Sequence, residues 1–323
     1  MFTRKIYELA RAELDTRKER AESIAASRES ELRTLSPEIK EIDDELLKTG
    51  LLIFKTAVSG SDIAPVRERN EMLTAKRRAA IVALGLPEDY DQPKYTCPLC
   101  SDTGHDEDGK LCSCFKELLR LETVKASGMG QLIEKQSFEN FDLSCYRELG
   151  EAEYARMKSI FEYSKKFASG FREGEGQTLL FIGKTGTGKT HISSAIAKQV
   201  IERGFSVIYD SSTNIFRAFE EDQFGKDRFR YSRDESHEPH AEKYMTADLL
   251  IIDDLGTEFI TQFTVSCLYN LINTRQNKGL STIVSTNFSP EEISRKYEDR
   301  LYSRLLGSET TVLPFVGRDH RLM

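Results

Sequence analysis

Residues 178–190 read Thr-Leu-Leu-Phe-Ile-Gly-Lys-Thr-Gly-Thr-Gly-Lys-Thr. A short apolar strand runs straight into Gly183, Lys184, Thr185, Gly186, Thr187, Gly188, Lys189 and Thr190. That octet satisfies Gly-x4-Gly-Lys-Thr, a phosphate-binding loop. Its glycines let the backbone turn tightly, so that successive N–H groups face an anion. A helix expected over 191–203 adds its positive N-terminal end. Lys189 is placed to reach the β and γ phosphates of ATP, and the Thr190 hydroxyl to bind magnesium.

Outward from the loop, strands are expected over 206–209, 249–253 and 282–285, with helices over 215–221 and 264–278 between them. Such alternation predicts an α/β fold: a parallel sheet covered by helices on both faces. The run Leu249-Leu250-Ile251-Ile252 fits a central strand, and it ends in Asp253-Asp254. Acidic groups at the C-terminal end of a strand lie where α/β sheets take their ligands. Asp253 is therefore the expected holder of the magnesium shell. Asp254 stands where many such ATPases carry a water-polarising glutamate. It is one methylene shorter, which leaves the rate of hydrolysis open, and Glu258 is a nearby substitute. Asn287, at the end of the next strand, is a polar amide able to orient water or sense the γ-phosphate.

The chain has 323 residues, enough for two or three units. A charged fraction of 31% and a mean hydropathy of −0.47 leave no run of membrane-spanning length. The opening MFTRKIYELARAEL carries charge throughout, so a cytoplasmic location is expected. A net charge of −7 argues against an indiscriminate nucleic-acid coat but not against a local basic patch.

Three zones follow from composition. Residues 1–88 are rich in Glu, Lys, Arg, Leu and Ala, with Leu32, Leu35, Ile39, Ile42, Leu46 and Leu47 at helical spacing. Ser36-Pro37-Glu38 reads as a helix start, Thr49-Gly50 as a turn, and 67–84 as a further helix. The zone is a helical hairpin or small bundle, either a spacer or a partner-binding module. Residues 89–130 hold Cys97, Cys100, Cys112 and Cys114, two pairs flanking a loop with Gly104 and Gly109. In a reducing compartment this pattern points to a closed structural zinc site, with a redox site as the alternative. His105 can replace one thiolate. Residues 131–323 form the nucleotide-binding zone.

The order GKTGTGKT, LLIIDDLGTE, STN and DRLYSRLLG resembles AAA+ P-loop ATPases of the DnaC/DnaI/IstB group. The resemblance implies an AAA+ core without a lid domain. It makes Asn287 sensor 1 and gives Arg304, with Arg300 as runner-up, the part of an arginine finger offered to a neighbouring subunit. Self-association through the ATP site and slow, assembly-dependent ATP hydrolysis are then expected. The segment CPLC…CSC resembles the zinc-bearing region of DnaI-like members. The implied function is loading of a hexameric DnaB-type replicative helicase onto single-stranded DNA. The alternatives are a transposition helper of the IstB kind and a nucleotide-gated adaptor with little hydrolysis.

Two segments remain. Lys226, Arg228, Phe229, Arg230, Tyr231 and Arg233 interleave cations with rings, as single-strand DNA binders do. A solvated loop is the competing reading, since acidic residues follow. Phe138-Glu-Asn-Phe141 resembles the family's entry motif, which implies a place beside the adenine; packing in the core explains both rings as well.

Overall fold

The computed structural model describes residues 3–58, 62–130, 132–224 and 240–317. They divide into two compact units, residues 10–116 and residues 117–323 together with the first nine. Among the described residues no helix is long and apolar enough to cross a membrane.

The first unit is built on three helices, α1 (Arg4–Leu35), α2 (Pro37–Val58) and α3 (Ala64–Ala83). The expected start at Ser36 is present: its hydroxyl accepts the Ile39 N–H at 3.3 Å, and Pro37 opens α2. Leu32, Ile39 and Ile81 are fully buried together. Arg77 bridges Asp43 and Asp91 at 2.5 Å each, an ion pair network that pins α2, α3 and the segment after α3.

The turn expected at Thr49-Gly50 is not there. Helix α2 runs through it, because the buried Thr49 hydroxyl donates to Leu46 O at 3.0 Å and accepts from Asn70 of α3 at 2.8 Å. Gly50 faces open space, so it costs the helix only about 1 kcal/mol relative to alanine. Continuity of α2 has a consequence at its surface. Leu47, Leu51, Phe54 and Val58, spaced four, three and four apart, lie on one stripe and are 58–74% exposed.

In chain order the further helices include α4 (Ser113–Ala126), α5 (Leu132–Lys135), α9 (Glu242–Thr246) and α11 (Pro290–Lys296). The second unit holds a five-stranded, wholly parallel sheet of β1 (Thr178–Ile182), β2 (Val207–Ser211), β3 (Leu249–Leu255), β4 (Ser281–Thr286) and β5 (Thr310–Pro314). The spatial order is β2-β3-β4-β1-β5. Alternation along the strands sends side chains to both faces. Leu179, Phe181, Leu249, Ile251 and Ile283 pack with α6 (Glu151–Gly170) and α7 (Lys189–Glu202). Leu180, Leu250, Ile252 and Val284 pack on the other face with α8 (Ser212–Phe224), α10 (Gln262–Asn277) and α12 (Asp299–Leu306). This is the α/β architecture expected from the sequence, a parallel sheet covered by helices on both faces. The sequence reading gave four strands and missed β5. It is an edge strand, mostly half exposed and ending in Pro314, so it lacks the apolar run that marks a central strand.

Topology fixes the site. With β4 between β1 and β3, the loops leaving the C-terminal ends of these three strands are neighbours. The β3–β4 register shifts between Ile252 and Leu255, the stretch that contains Asp253 and Asp254.

Candidate nucleotide site and cysteine cluster

After β1 the chain turns through Gly186 and Gly188, at φ +76° and +91°, a region that L side chains rarely adopt. At Gly188 a Cβ would come within 2.7 Å of the Tyr146 hydroxyl and 3.0 Å of the Phe141 ring. That tyrosine donates to Thr187 O at 3.1 Å, bracing the loop from behind. Helix α7 begins at Lys189, and the loop amides precede its N-terminus.

The Lys189 side chain is directed to Gly183 O at 2.6 Å, Lys184 O at 2.9 Å and Asn287 Oδ1 at 2.7 Å. The Asn287 amide also donates toward Thr185 at 3.4 Å. The asparagine picked out at the end of β4 therefore touches the phosphate-binding loop directly. Thr190 Oγ1 lies 3.4 Å from Asp253 Oδ2, which joins a hydroxyl and a carboxylate at the mouth of the loop. Oxygen donors of this kind suit a hard divalent cation such as magnesium. Asp253 is 8% exposed, and two more hydroxyls donate to it: Tyr209 to Oδ2 and Ser285 to Oδ1. Neither partner was found from the sequence, because each sits on a different strand from the aspartate and nothing in the spacing links them.

Asp254 is exposed and adopts φ +53°, with its N–H on Ser285 Oγ at 3.0 Å. A left-handed non-glycine residue is uncommon, though aspartate tolerates it better than most. Glu258 does not stand free as a substitute. Its Oε2 accepts from Ser212 and the Gly256 N–H at 2.7 and 2.8 Å, and its Oε1 from Tyr297 at 2.5 Å.

Helix α12 carries both arginines. Arg304 Nη1 reaches Gln276 at 3.4 Å and Glu309 at 3.9 Å, whereas Arg300 is exposed with no partner among the described residues. Neither pairs with Glu298 or Asp299. Phe138 is buried edge-on to Phe161 at 5.5 Å, so the core-packing reading holds for it. Phe141 stacks on Phe161 and meets His191 edge-on at 5.1 Å, directly behind the loop. Lys226, Arg228, Phe229, Arg230, Tyr231 and Arg233 lie outside the described residues.

In the first unit the four cysteines converge, with all four Sγ atoms within 4.8 Å of one another. Cys97 and Cys112 are 3.8 Å apart, Cys100 and Cys114 3.4 Å. Four thiolates around one zinc, at about 2.3 Å each, stand about 3.8 Å apart, so the set fits a tetrahedral ion. The chain is shaped for this. Asp102, at φ +55° and 1% exposed, accepts the Thr96 and Cys97 N–H groups at 2.8 and 2.9 Å. The Cys114 N–H lowers the Cys112 thiol pKa to about 7, whereas burial raises those of Cys100 and Cys114. His105 is not in the cluster; it bridges to Leu111, with its ring 6.4 Å from Phe115.

Residues 120–307 match the family model described as IstB-like ATP binding protein. The chain is 28% identical over 192 residues to the replicative helicase loader DnaC of Escherichia coli K12, covering 59% of this chain and 71% of that one. It is 26% identical over 143 residues to the replicative helicase loader DnaI of Bacillus subtilis, covering 43% and 42%. A crystal structure of DnaI superposes with a TM-score of 0.45 at 19% identity, covering 60% of this chain and 95% of that one. The matched segment exceeds half of the chain and contains the loop, Asp253, Asn287 and Arg304, so this protein belongs to the IstB-like ATP-binding family, in the DnaC/DnaI/IstB group of AAA+ P-loop ATPases.

Proposed function

We propose that this protein is an ATP-dependent loader of the replicative DNA helicase. The observation that carries the nucleotide part is the convergence of Lys189, Asn287, Thr190 and Asp253 at neighbouring strand ends. Loop amides and Lys189 bind the phosphates of ATP, and Asn287, already in contact with Lys189, senses the γ-phosphate. Thr190 and Asp253 hold magnesium, which neutralises charge on the phosphates. Asp254 orients the attacking water, and its short side chain makes turnover slow. Arg304 is offered to the site of a neighbouring subunit, with Arg300 as the alternative donor, so hydrolysis depends on assembly. The cysteines hold a structural zinc that fixes the 97–114 loop, with every ligand position filled by protein.

The loader role rests on the two curated relatives, both named replicative helicase loaders. The helicase docks on the three-helix unit. The stripe of Leu47, Leu51, Phe54 and Val58 on α2 is a surface of heptad-like spacing, flanked by exposed Lys48 and Lys55. It suits an amphipathic helicase helix with acidic flanks. Single-stranded DNA is bound by the 226–233 segment.

The test is binding of the full chain to the purified replicative helicase of its own host, followed by light scattering. The wild-type chain forms a defined complex, and Leu51→Asp with Phe54→Asp abolishes it while ATP affinity is unchanged. A chain that ignores the helicase but binds a transposase would overturn the loader reading in favour of the transposition helper.

A further inference from the structure

Asp253 lies near the C-terminal end of β3, a strand almost wholly buried, yet its carboxylate meets hydroxyls on both oxygens. Tyr209 and Thr190 address Oδ2, and Ser285 addresses Oδ1. Thr190 and Ser285 come from the loop helix and the neighbouring strand, where a polar residue is ordinary for such a site. Tyr209 is different. It sits on β2, in register with Ile251 and two residues short of the Ser211–Asp253 pair. Only a long side chain spans that offset, and a phenol spans it rigidly.

The ring is fixed from both ends. Its body is 8% exposed, packed in the core on the α7 face of the sheet. Its main chain is held by a strand-like contact at the sheet edge: the Tyr209 N–H donates to Ser127 O at 2.7 Å. Gly128 packs so closely that a Cβ there would come within 2.6 Å of Tyr209 O. Ser127 is itself fully buried, with its hydroxyl on Val124 O at 2.7 Å. The phenol hydroxyl is thus delivered to one oxygen of one carboxylate by a scaffold with little freedom.

We infer that Tyr209 is a positioning residue for magnesium: its hydroxyl sets the rotamer of Asp253 and leaves the carboxylate lone pairs that face Thr190 directed at the cation. The inference rests on the reading of this site as one for magnesium–ATP. Groups that orient a metal-ligating carboxylate act through it, and their loss costs about 10–100-fold in metal affinity. The nucleotide itself is gripped by loop amides and Lys189, none of which touches Tyr209 in the contacts above.

The experiment compares nucleotide affinity of the full chain in magnesium and in EDTA, by calorimetry with a non-hydrolysable ATP analogue. For Tyr209→Phe the affinity in EDTA equals that of the wild type, and the gain brought by magnesium shrinks by about 10-fold or more. A merely structural role would weaken both conditions together. An undiminished magnesium gain in the folded variant overturns the inference. If Tyr209→Phe fails to fold, 3-fluorotyrosine at position 209 keeps the ring and the hydroxyl. Its fluorine resonance moves when magnesium is added to the nucleotide complex, and a resonance that does not move overturns the inference. A wild-type chain that binds the analogue in neither condition overturns the ATP reading, and this inference with it. A wild-type gain that survives Tyr209→Phe overturns the inference alone.

Discussion

Arg275, in α10, is fully buried, and its guanidinium is spent on neutral acceptors. It donates to Tyr244 O at 2.8 Å, Ala247 O at 2.9 Å, Ser281 O at 2.6 Å and Thr282 Oγ1 at 3.0 Å. Those acceptors lie at the entries to β3 and β4, the strands whose far ends deliver Asp253 and Asn287. Burial presses the Arg275 pKa down to about 9, still above neutrality, so the group is charged at pH 7. Arg275→Met keeps the length of the side chain and removes every donor. Three carbonyls then lose a buried partner, at about 1–3 kcal/mol each. Relief from desolvating a charge offsets part of this. The net loss is about 3–5 kcal/mol, in the range seen when a buried charged network is broken. For a unit of this size that lowers Tm by roughly 6–20 °C, at about 2–4 °C per kcal/mol. Urea unfolding followed by circular dichroism measures the loss, and thermal melts check it. Arg275→Lys, with a point charge in place of a fork, restores only part. A loss under about 1 kcal/mol for Arg275→Met would refute the reasoning, because those carbonyls would then have found other donors at little cost.

The remaining predictions concern the site and the cluster. Lys189→Ala removes an ammonium directed at the loop and abolishes measurable ATP binding; an affinity within about threefold of wild type, well under the tenfold that 1.4 kcal/mol represents, would sink the assignment of the loop. Freshly purified, reduced protein carries one zinc per chain by elemental analysis, and chelation loosens the 97–114 loop to proteolysis. Protein with no zinc, or a loop indifferent to chelation, counts against the metal. Mixing Arg304→Ala chains with Lys189→Ala chains restores part of the ATPase activity that each lacks alone, since one supplies an intact loop and the other an intact finger. No recovery under conditions that permit assembly removes Arg304 from the neighbouring site, and the same mixture with Arg300→Ala tests the alternative.

Much of the nucleotide site was legible because its chemistry is local. A phosphate-binding loop needs glycines at positions of positive φ, and Gly186 and Gly188 adopt that conformation. A strand buried on both faces needs an unbroken apolar run, so Leu249 to Ile252 revealed itself and gave Asp253 its address. The cysteines were legible for a similar reason: their spacing lets two short loops bring four sulfurs within reach of one ion. Other features carried no such mark. The turn expected at Thr49-Gly50 gave way to a continuous helix, because the decisive hydrogen bond to Thr49 comes from Asn70, on another helix. Strand β5 hides among half-exposed residues, since an edge strand needs no apolar run. Glu258, near enough in sequence to stand in for Asp254, is engaged by Ser212, Gly256 and Tyr297.

By itself, then, the sequence determined most of the elements and the candidate ligands: which segment turns through glycines, which strand ends in acid, which thiols can gather. Those choices depend on neighbours within a few residues, where backbone conformation and periodicity act. Only the tertiary structure decided the company those atoms keep. Placing β4 between β1 and β3 is what lets Asn287 reach Lys189, 98 positions away in the chain. Pairing β2 with β3 is what brings the Tyr209 hydroxyl to Asp253, and burial of α10 against the strand entries is what turns Arg275 into a structural donor. Hydrogen bonds of this kind are set by distance in space, and a chain's order in sequence does not encode that distance until the sheet has closed around its core.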